Sequence, residues 1–263
     1  MKISLIHALS LRFPEIPRKE LFARILCGEV IVSGEKVRDP ALKVAESCKL
    51  AFAARRRFVS RGGEKLDFIL DKWNIDCKGR SFIDAGCSTG GFSDCLLQRG
   101  AVEVIAVDVG YNQVDYRLRN DKRIILLERT NIFDIRDKIH GLKPDAAAMD
   151  LSFRSLRRAA SFLLGIVEEG WIIALVKPQF EWQNPDKDFD GVVYSKESRY
   201  KIVLDTMKDL WREGAFTTGI ESSPVLGSKG NTEYFFHLKR SEEAPYSDMQ
   251  KRLEEAVLEG IPG

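Results

Sequence analysis

The chain reads as α/β: a doubly wound domain preceded by a small α+β unit. Three observations predict this. From residue 64 onward, short apolar runs alternate with stretches whose apolar residues recur at helical spacing. Where the first run meets its helix, FIDAGCSTGGFSDCL (82–96) places Gly86, Gly90 and Gly91, and no bulky side chain, between Ile83 and Phe92. That is the composition of a strand-to-helix turn whose backbone is approached closely. The first sixty residues differ in both pattern and charge, since residues 1–65 carry fourteen Lys or Arg against seven Asp or Glu in a chain of net charge +2.

In the amino-terminal unit, a first helix is followed by one from about Arg18 to Cys27, with Leu21, Ile25 and Leu26 on one face and Gly28 as its stop. Val30 and Val32 alternate as a short strand, Gly34 turns, Val37 resumes the pairing, and Asp39-Pro40 ends it. Arg55, Arg56, Arg57 and Arg61 then cluster before Gly62-Gly63, either as a solvated linker or as a clamp on a nucleic-acid backbone. The expected division is a unit over 1–58, a basic linker over 59–63 and the α/β domain over 64–263.

In that domain SFID (81–84), VEVIAVDV (102–109), RIILLE (123–128), DAAAMDL (145–151) and WIIALVKP (171–178) suit buried parallel strands. Helices are expected over 90–100, 152–170 and about 196–211. The runs 215–223 and 233–240 suit an antiparallel pair at one sheet edge. A terminal helix is expected over 247–260, with Ser247 as its cap.

At 263 residues and 44% hydrophobic content, the chain suffices for one large core and a small second unit. It contains no apolar run of membrane-spanning length, and its start lacks the pattern of a signal peptide, which predicts a cytoplasmic protein. Five cysteines without a C-x-x-C pair fit reduced thiols, and three scattered histidines offer no metal site. The basic first unit suits a polyanion, or else is an ordinary solvated surface.

Ligands in such folds lie beyond the carboxyl ends of the strands, and the first turn is the usual cofactor site. Asp84, Gly86, Cys87, Ser88, Thr89, Gly90, Gly91 and Phe92 occupy that turn. Their spacing matches neither a dinucleotide fingerprint nor a phosphate loop with its lysine. Asp108 ends the next strand, where a carboxylate can accept from both hydroxyls of a ribose. An acidic first turn favours a cofactor carrying ammonium and sulfonium charge over one carrying pyrophosphate, so the expected cofactor is S-adenosyl-L-methionine. Asn131, after Thr130, is placed for its adenine region. Cys87 reads as a small turn residue or as a reactive thiol. Four further polar residues stand out: Asp150 and Lys177 follow apolar strand sequence, Glu233 opens one such run, and Lys65 opens the helix ahead of the first strand.

The order of a basic helix, Gly-x-Val-x-Val, a Gly turn and a second Val resembles the S4-type RNA-binding domain, with Val32-Ser33-Gly34 where that domain has Val-Asn-Gly. The resemblance implies that Arg18, Lys19 and Arg24 face phosphate. Lys65, Asp150, Lys177 and Glu233 resemble the K-D-K-E tetrad of FtsJ-like ribose 2′-O-methyltransferases. With RFVSRGGEKL, DAGCSTGGF, MDLSF, LVKPQFE and GNTEYF in order, residues 1 to 240 are similar to the TlyA family, often labelled haemolysin A.

That resemblance implies a Rossmann-like, S-adenosylmethionine-dependent enzyme that methylates the 2′-oxygen of cytidine in ribosomal RNA or ribosomal subunits. No membrane, no metal and no second copy of the chain are needed. Lys177 then acts as the base or only orients the hydroxyl, because Lys65 lowers its pKa while Asp150 and Glu233 raise it. Asp150, beside the methyl group, is expected to hold Lys177, Glu233 to fix the lysines, and Lys65 to meet the target ribose or phosphate. Phe153 and Phe180 stack on an extruded base or are core aromatics. The competing readings are a transfer-RNA methyltransferase, a non-catalytic RNA-binding factor and a membrane-lytic protein, the last testable by liposome leakage.

Overall fold

The computed structural model describes residues 2–54, 56–152, 155–185 and 187–259. The chain begins with β1 (Lys2–Ser4), α1 (Leu5–Arg12), α2 (Arg18–Leu26), β2 (Val30–Val32), β3 (Glu35–Val37), β4 (Lys43–Ala45) and β5 (Leu50–Phe52). Next come α3 (Arg61–Lys72), β6 (Ser81–Ala85), α4 (Gly91–Gln98), β7 (Glu103–Val107), α5 (Tyr116–Arg119), β8 (Ile124–Leu127) and β9 (Ala146–Met149). The remainder comprises α6 (Ala159–Leu164), β10 (Trp171–Val176), α7 (Pro178–Glu181), α8 (Lys196–Arg212), β11 (Phe216–Ser222), β12 (Tyr234–Lys239) and α9 (Tyr246–Glu254).

Two compact units result, one of residues 1–57 with 114–121 and one of 58–113 with 122–263. In the first, β1 pairs antiparallel with β4, and β2 lies between β3 and β5. Leu5 and Leu9 of α1, Leu21 and Ile25 of α2, and Val30 are fully buried together, the apolar stripes of two helices closed over a hairpin. Helix α2 ends as its sequence predicts: the Gly28 N–H donates to the Ile25 carbonyl and the Glu29 N–H to that of Arg24. The chain returns to this unit at 114–121. Asp115 caps α5 by accepting from the Arg117 N–H, Phe22 packs edge-on against Tyr116, and Arg117 pairs with Glu29.

The second unit is built on a seven-stranded sheet of order β11-β12-β10-β9-β6-β7-β8. Strands β6 to β10 run parallel, and β12 is antiparallel to both β10 and β11, the expected edge pair. The chain moves outward from β6 through β7 to β8, then returns to place β9 on the other side of β6. A crevice at the carboxyl ends of β6 and β9 follows from that reversal.

Three expectations are corrected. Arg61 to Gly63 are not linker but the first turn of α3. A Cβ on Gly63 would overlap the Phe58 ring and lie 3.0 Å from the Gly91 carbonyl, so the paired glycines let α3 pack tightly against α4. The helix expected over 152–170 shrinks to Ala159–Leu164, because carboxylates elsewhere engage the residues just before it, as set out below. Ser247 lies inside α9 rather than at its cap; Pro245 occupies that position, and its carbonyl accepts from the N–H groups of Asp248 and Met249.

Candidate active site

The ends of successive strands bring the polar residues together. Asp84 closes β6, Asp108 follows β7, Asp150 follows β9 and Lys177 follows β10. β12 runs the other way, and its register pairs Tyr234 with Val176, so Glu233 at its start meets the same edge of the sheet. Helix α3 adds Lys65 from its first turns.

The Lys65 Nζ lies 2.5 Å from Glu233 Oε2, and the Lys177 Nζ lies 2.5 Å from Asp150 Oδ1 and donates to Ser152 Oγ at 3.2 Å. Lys65, Lys177 and Glu233 are 7%, 8% and 3% exposed. With Asp84, Arg61 and Ser60, the four tetrad residues line one cavity of about 230 Å³. Charges buried to this degree persist only when paired, and removing one partner of such a pair costs about 3–5 kcal/mol.

A second cavity, of about 580 Å³, shares Gly86, Ser88 and Asp150 with the first and continues past Asp108, Gln113, Thr130 and Asn131. Asp108 is locked by its own loop: Oδ2 accepts from the Ser88 N–H at 2.8 Å and Oδ1 from the Gly110 N–H at 2.6 Å. Asn131 caps the turn Ile132–Asp134 through the Phe133 N–H. At Gly86, with φ +85°, a Cβ would stand 2.5 Å from the Asp150 carbonyl oxygen. The close approach that the sequence signals at this turn is thus met here by the protein's own backbone.

Asp84 is fully buried. Its Oδ2 accepts from the Ser93 N–H at 2.8 Å and from Ser93 Oγ at 2.6 Å, while Oδ1 has no hydrogen-bond partner among the described residues. Burial is the main force pushing its carboxyl up to about 7, with Asp150 and Asp108 adding to it against the Ser93 bonds. Burial, followed by Asp84 and Asp108, also raises the Cys87 thiol well above its ordinary range, the environment of a small turn residue more than of a reactive thiolate. Gly90, Gly91 and Phe92 open α4, and Gly91 and Phe92 line the smaller cavity. Thr89 is exposed and lines neither cavity.

A brace absent from the sequence reading holds the Asp150 and Lys177 segments together. Glu181 ends the short helix after Lys177 and is 3% exposed. It accepts from Ser155 Oγ at 2.6 Å, the Leu156 N–H at 2.8 Å and Arg157 Nη1 at 2.8 Å, and Arg157 also reaches Asp209 on α8. The Arg158 N–H donates to Glu213. These bonds fix residues 155–158 and hold them out of the expected helix.

The basic residues fall in several places. Arg18 and Lys19 are exposed in the first turn of α2, whereas Arg24 pairs with Glu20 at 2.5 Å and lies over the Phe52 ring. Arg56 and Arg57 are exposed near the end of the first unit, and Arg61 borders the smaller cavity. Phe180 is half-buried, its ring centre 5.8 Å from Lys177 Nζ. Arg55 and Phe153 lie outside the described residues. Among the described residues no cluster of His, Cys, Asp or Glu is arranged to hold a metal, and no helix is long and apolar enough to cross a membrane.

A sheet of this order, with carboxylates ending its first two strands and a second set of charges at the reversal point, defines a Rossmann-like methyltransferase domain. Residues 58–240 match the family described as FtsJ-like methyltransferase. The chain is 37% identical over 247 residues, 93% of its length and 91% of the relative's, to the 16S/23S rRNA (cytidine-2′-O)-methyltransferase TlyA of Mycobacterium tuberculosis. It is 36% identical over 216 residues, covering 81% of this chain and 90% of the relative, to Hemolysin A of Brachyspira hyodysenteriae. A solved structure described as a hemolysin of Streptococcus thermophilus superposes with a TM-score of 0.72 at 31% identity, covering 98% of this chain and 95% of that one. The chain belongs to the TlyA family of FtsJ-like methyltransferases.

Proposed function

We propose that this protein methylates the 2′-oxygen of cytidine in ribosomal RNA, using S-adenosylmethionine. One observation carries the reading: two Lys–carboxylate pairs, each with a buried lysine, share a small cavity that continues, through Gly86, Ser88 and Asp150, into a larger one suited to a nucleoside. Asp84 presents a buried, unpartnered carboxylate oxygen fit for a cation. Asp108, already oriented by two backbone N–H groups, is fit to accept from ribose hydroxyls, with Asn131 beyond it.

Bound there, S-adenosylmethionine supplies an electrophilic methyl group. The protein's own work is to aim the acceptor oxygen. A lysine ammonium has three N–H donors; Lys177 donates one to Ser152 and pairs by charge with Asp150, which leaves donor capacity for an incoming hydroxyl oxygen. Lys177 therefore orients the nucleophile and stabilises charge developing on it. Lys65, anchored by Glu233, reaches the target ribose or phosphate. Positioning of this kind supplies up to about 7–11 kcal/mol in favourable cases. Glu181 and Arg157 keep the two charged segments in register.

The basic first unit serves as an S4-type docking module, with Arg18 and Lys19 toward phosphate. The substrate places the protein with ribosomes in the cytoplasm. The test is transfer of labelled methyl to purified 30S and 50S subunits, followed by nucleoside analysis. Label in 2′-O-methylcytidine is the expected result. Label in another nucleoside, or on transfer RNA alone, would overturn the substrate.

A further inference from the structure

The loop between β11 and β12 has a second face. Gly227, Ser228 and Glu233 line the catalytic cavity, whereas Pro224, Leu226, Thr232 and Tyr234 line a groove of about 780 Å³. Residues 66–263 contain more acidic than basic side chains. The groove reverses that balance, with Lys72, Lys196, Arg199 and Arg252 against Glu221 and Glu255.

The cations are held in place mainly by neutral groups. Arg199 Nη1 donates to the carbonyls of Val193 at 3.0 Å and Tyr194 at 2.8 Å, and Lys196 Nζ donates to that of Leu258 at 3.0 Å. Lys72 stands 3.4 Å from Glu221, and its side chain is 54% exposed. Arg252 is exposed. A carbonyl orients a guanidinium without neutralising it, so Arg199 keeps its charge, and the four cations lining the groove outnumber its two carboxylates beside four hydroxyl residues, Ser222, Ser223, Thr232 and Tyr234. Leu226 lies on the loop between groove and cavity, 41% exposed, with its carbonyl 3.5 Å from Arg61 Nη1. Cations therefore line both faces of the loop that carries Glu233.

We infer that this groove binds the sugar-phosphate backbone of the RNA strand next to the target nucleotide, with Arg199, Arg252 and Lys72 meeting phosphates while the target ribose enters the cavity. The inference rests on the reading of the substrate as RNA. It adds a second contact surface, within the catalytic unit, to the basic first unit.

The test is direct binding of protein-free ribosomal RNA and of purified subunits by full-length protein over a series of salt concentrations. Lys72→Gln and Arg252→Gln, both at exposed positions, are each expected to weaken binding of both probes and to lower the slope of log affinity against log salt by about 0.7 to 1. Glu255→Gln is expected to strengthen binding, and S-adenosylhomocysteine affinity is expected to stay put in every variant. Unchanged slopes on both probes would overturn the inference, as would a loss confined to subunits, which would assign the groove to a ribosomal protein. Binding is read without turnover, so the absence of methyl transfer by the wild type would refute the proposed reaction and leave the groove to be judged on its slopes.

Discussion

The catalytic and cofactor cavities share residues yet are held together by different means. The smaller is walled by two ion pairs whose lysines are less than a tenth exposed, and each charge there depends on one partner. The larger is walled by turns, and its key carboxylate, Asp108, is fixed by two backbone N–H groups that no substitution elsewhere removes. The first is therefore brittle toward single substitutions and the second tolerant of them. Asp150, which lines both, is the place where the contrast can be tested most sharply.

The largest effect is expected from Lys177→Met, a fall in methyl transfer of about 10²- to 10⁴-fold with S-adenosylhomocysteine affinity unmoved. Asp150→Asn should lower transfer to a similar degree and weaken cofactor binding as well. Single-turnover assays and calorimetry separate the two quantities, and equal cofactor affinity in both variants would show that Asp150 serves only one cavity. Next comes Lys65→Met, expected to cost about 3–5 kcal/mol of unfolding free energy by stranding Glu233. Pairing it with Glu233→Leu should restore much of that stability in urea titrations without restoring transfer. If activity returned with stability, the pair would be structural rather than catalytic.

Smaller effects probe the cofactor side and the brace. Asp108→Asn retains an acceptor but loses charge, and should raise the cofactor Kd about tenfold while leaving RNA affinity alone. Glu181→Gln should lower kcat several-fold with both substrate affinities preserved. Equal kcat at temperatures where the variant is fully folded would reduce the brace to a stabilising contact. A separate test is a pH dependence. Asp84 has its carboxyl raised from 3.8 to about 7, so its stabilising contribution is complete below about pH 4 and is lost as pH rises through about 7. The stability of Asp84→Asn relative to wild type should therefore climb between about pH 4 and 7 and level off above. A cationic cofactor calls for the ionised form, so its binding near pH 6 should release a proton, detectable by calorimetry in buffers of different ionisation enthalpy. A pH-independent stability difference would show that Asp84 ionises normally.

The residues legible in the sequence were those that break a pattern. A charge at the end of an apolar run is conspicuous, so Asp84, Asp108, Asp150 and Lys177 could be picked out, and each stands at a strand end facing one of the two cavities. Ser152 and Gln113 line the larger cavity but are ordinary loop residues, and only tertiary structure distinguishes them. Glu181 was visible only as part of LVKPQFE, because its three donors come from residues 24 to 26 positions earlier. The same bonds explain the departure from helix over 155–158, where helical periodicity is present but long-range carboxylates outcompete it. At Gly86 the close approach was legible, but its agent, the Asp150 carbonyl, was not.

The return of residues 114–121 to the first unit bears on the order in which the molecule is made. Synthesis delivers residues 1–57 early, but the partners of Phe22, Cys27 and Glu29, namely Tyr116, Asp115 and Arg117, emerge only after β6, α4 and β7 have been translated. The first unit therefore leaves the ribosome incomplete and is finished by a segment from the middle of the second. Nor can a cut at residue 57 cleanly separate the two, since it strips α5 of its packing. Substitution of Arg18 and Lys19 is the cleaner way to ask what the first unit does.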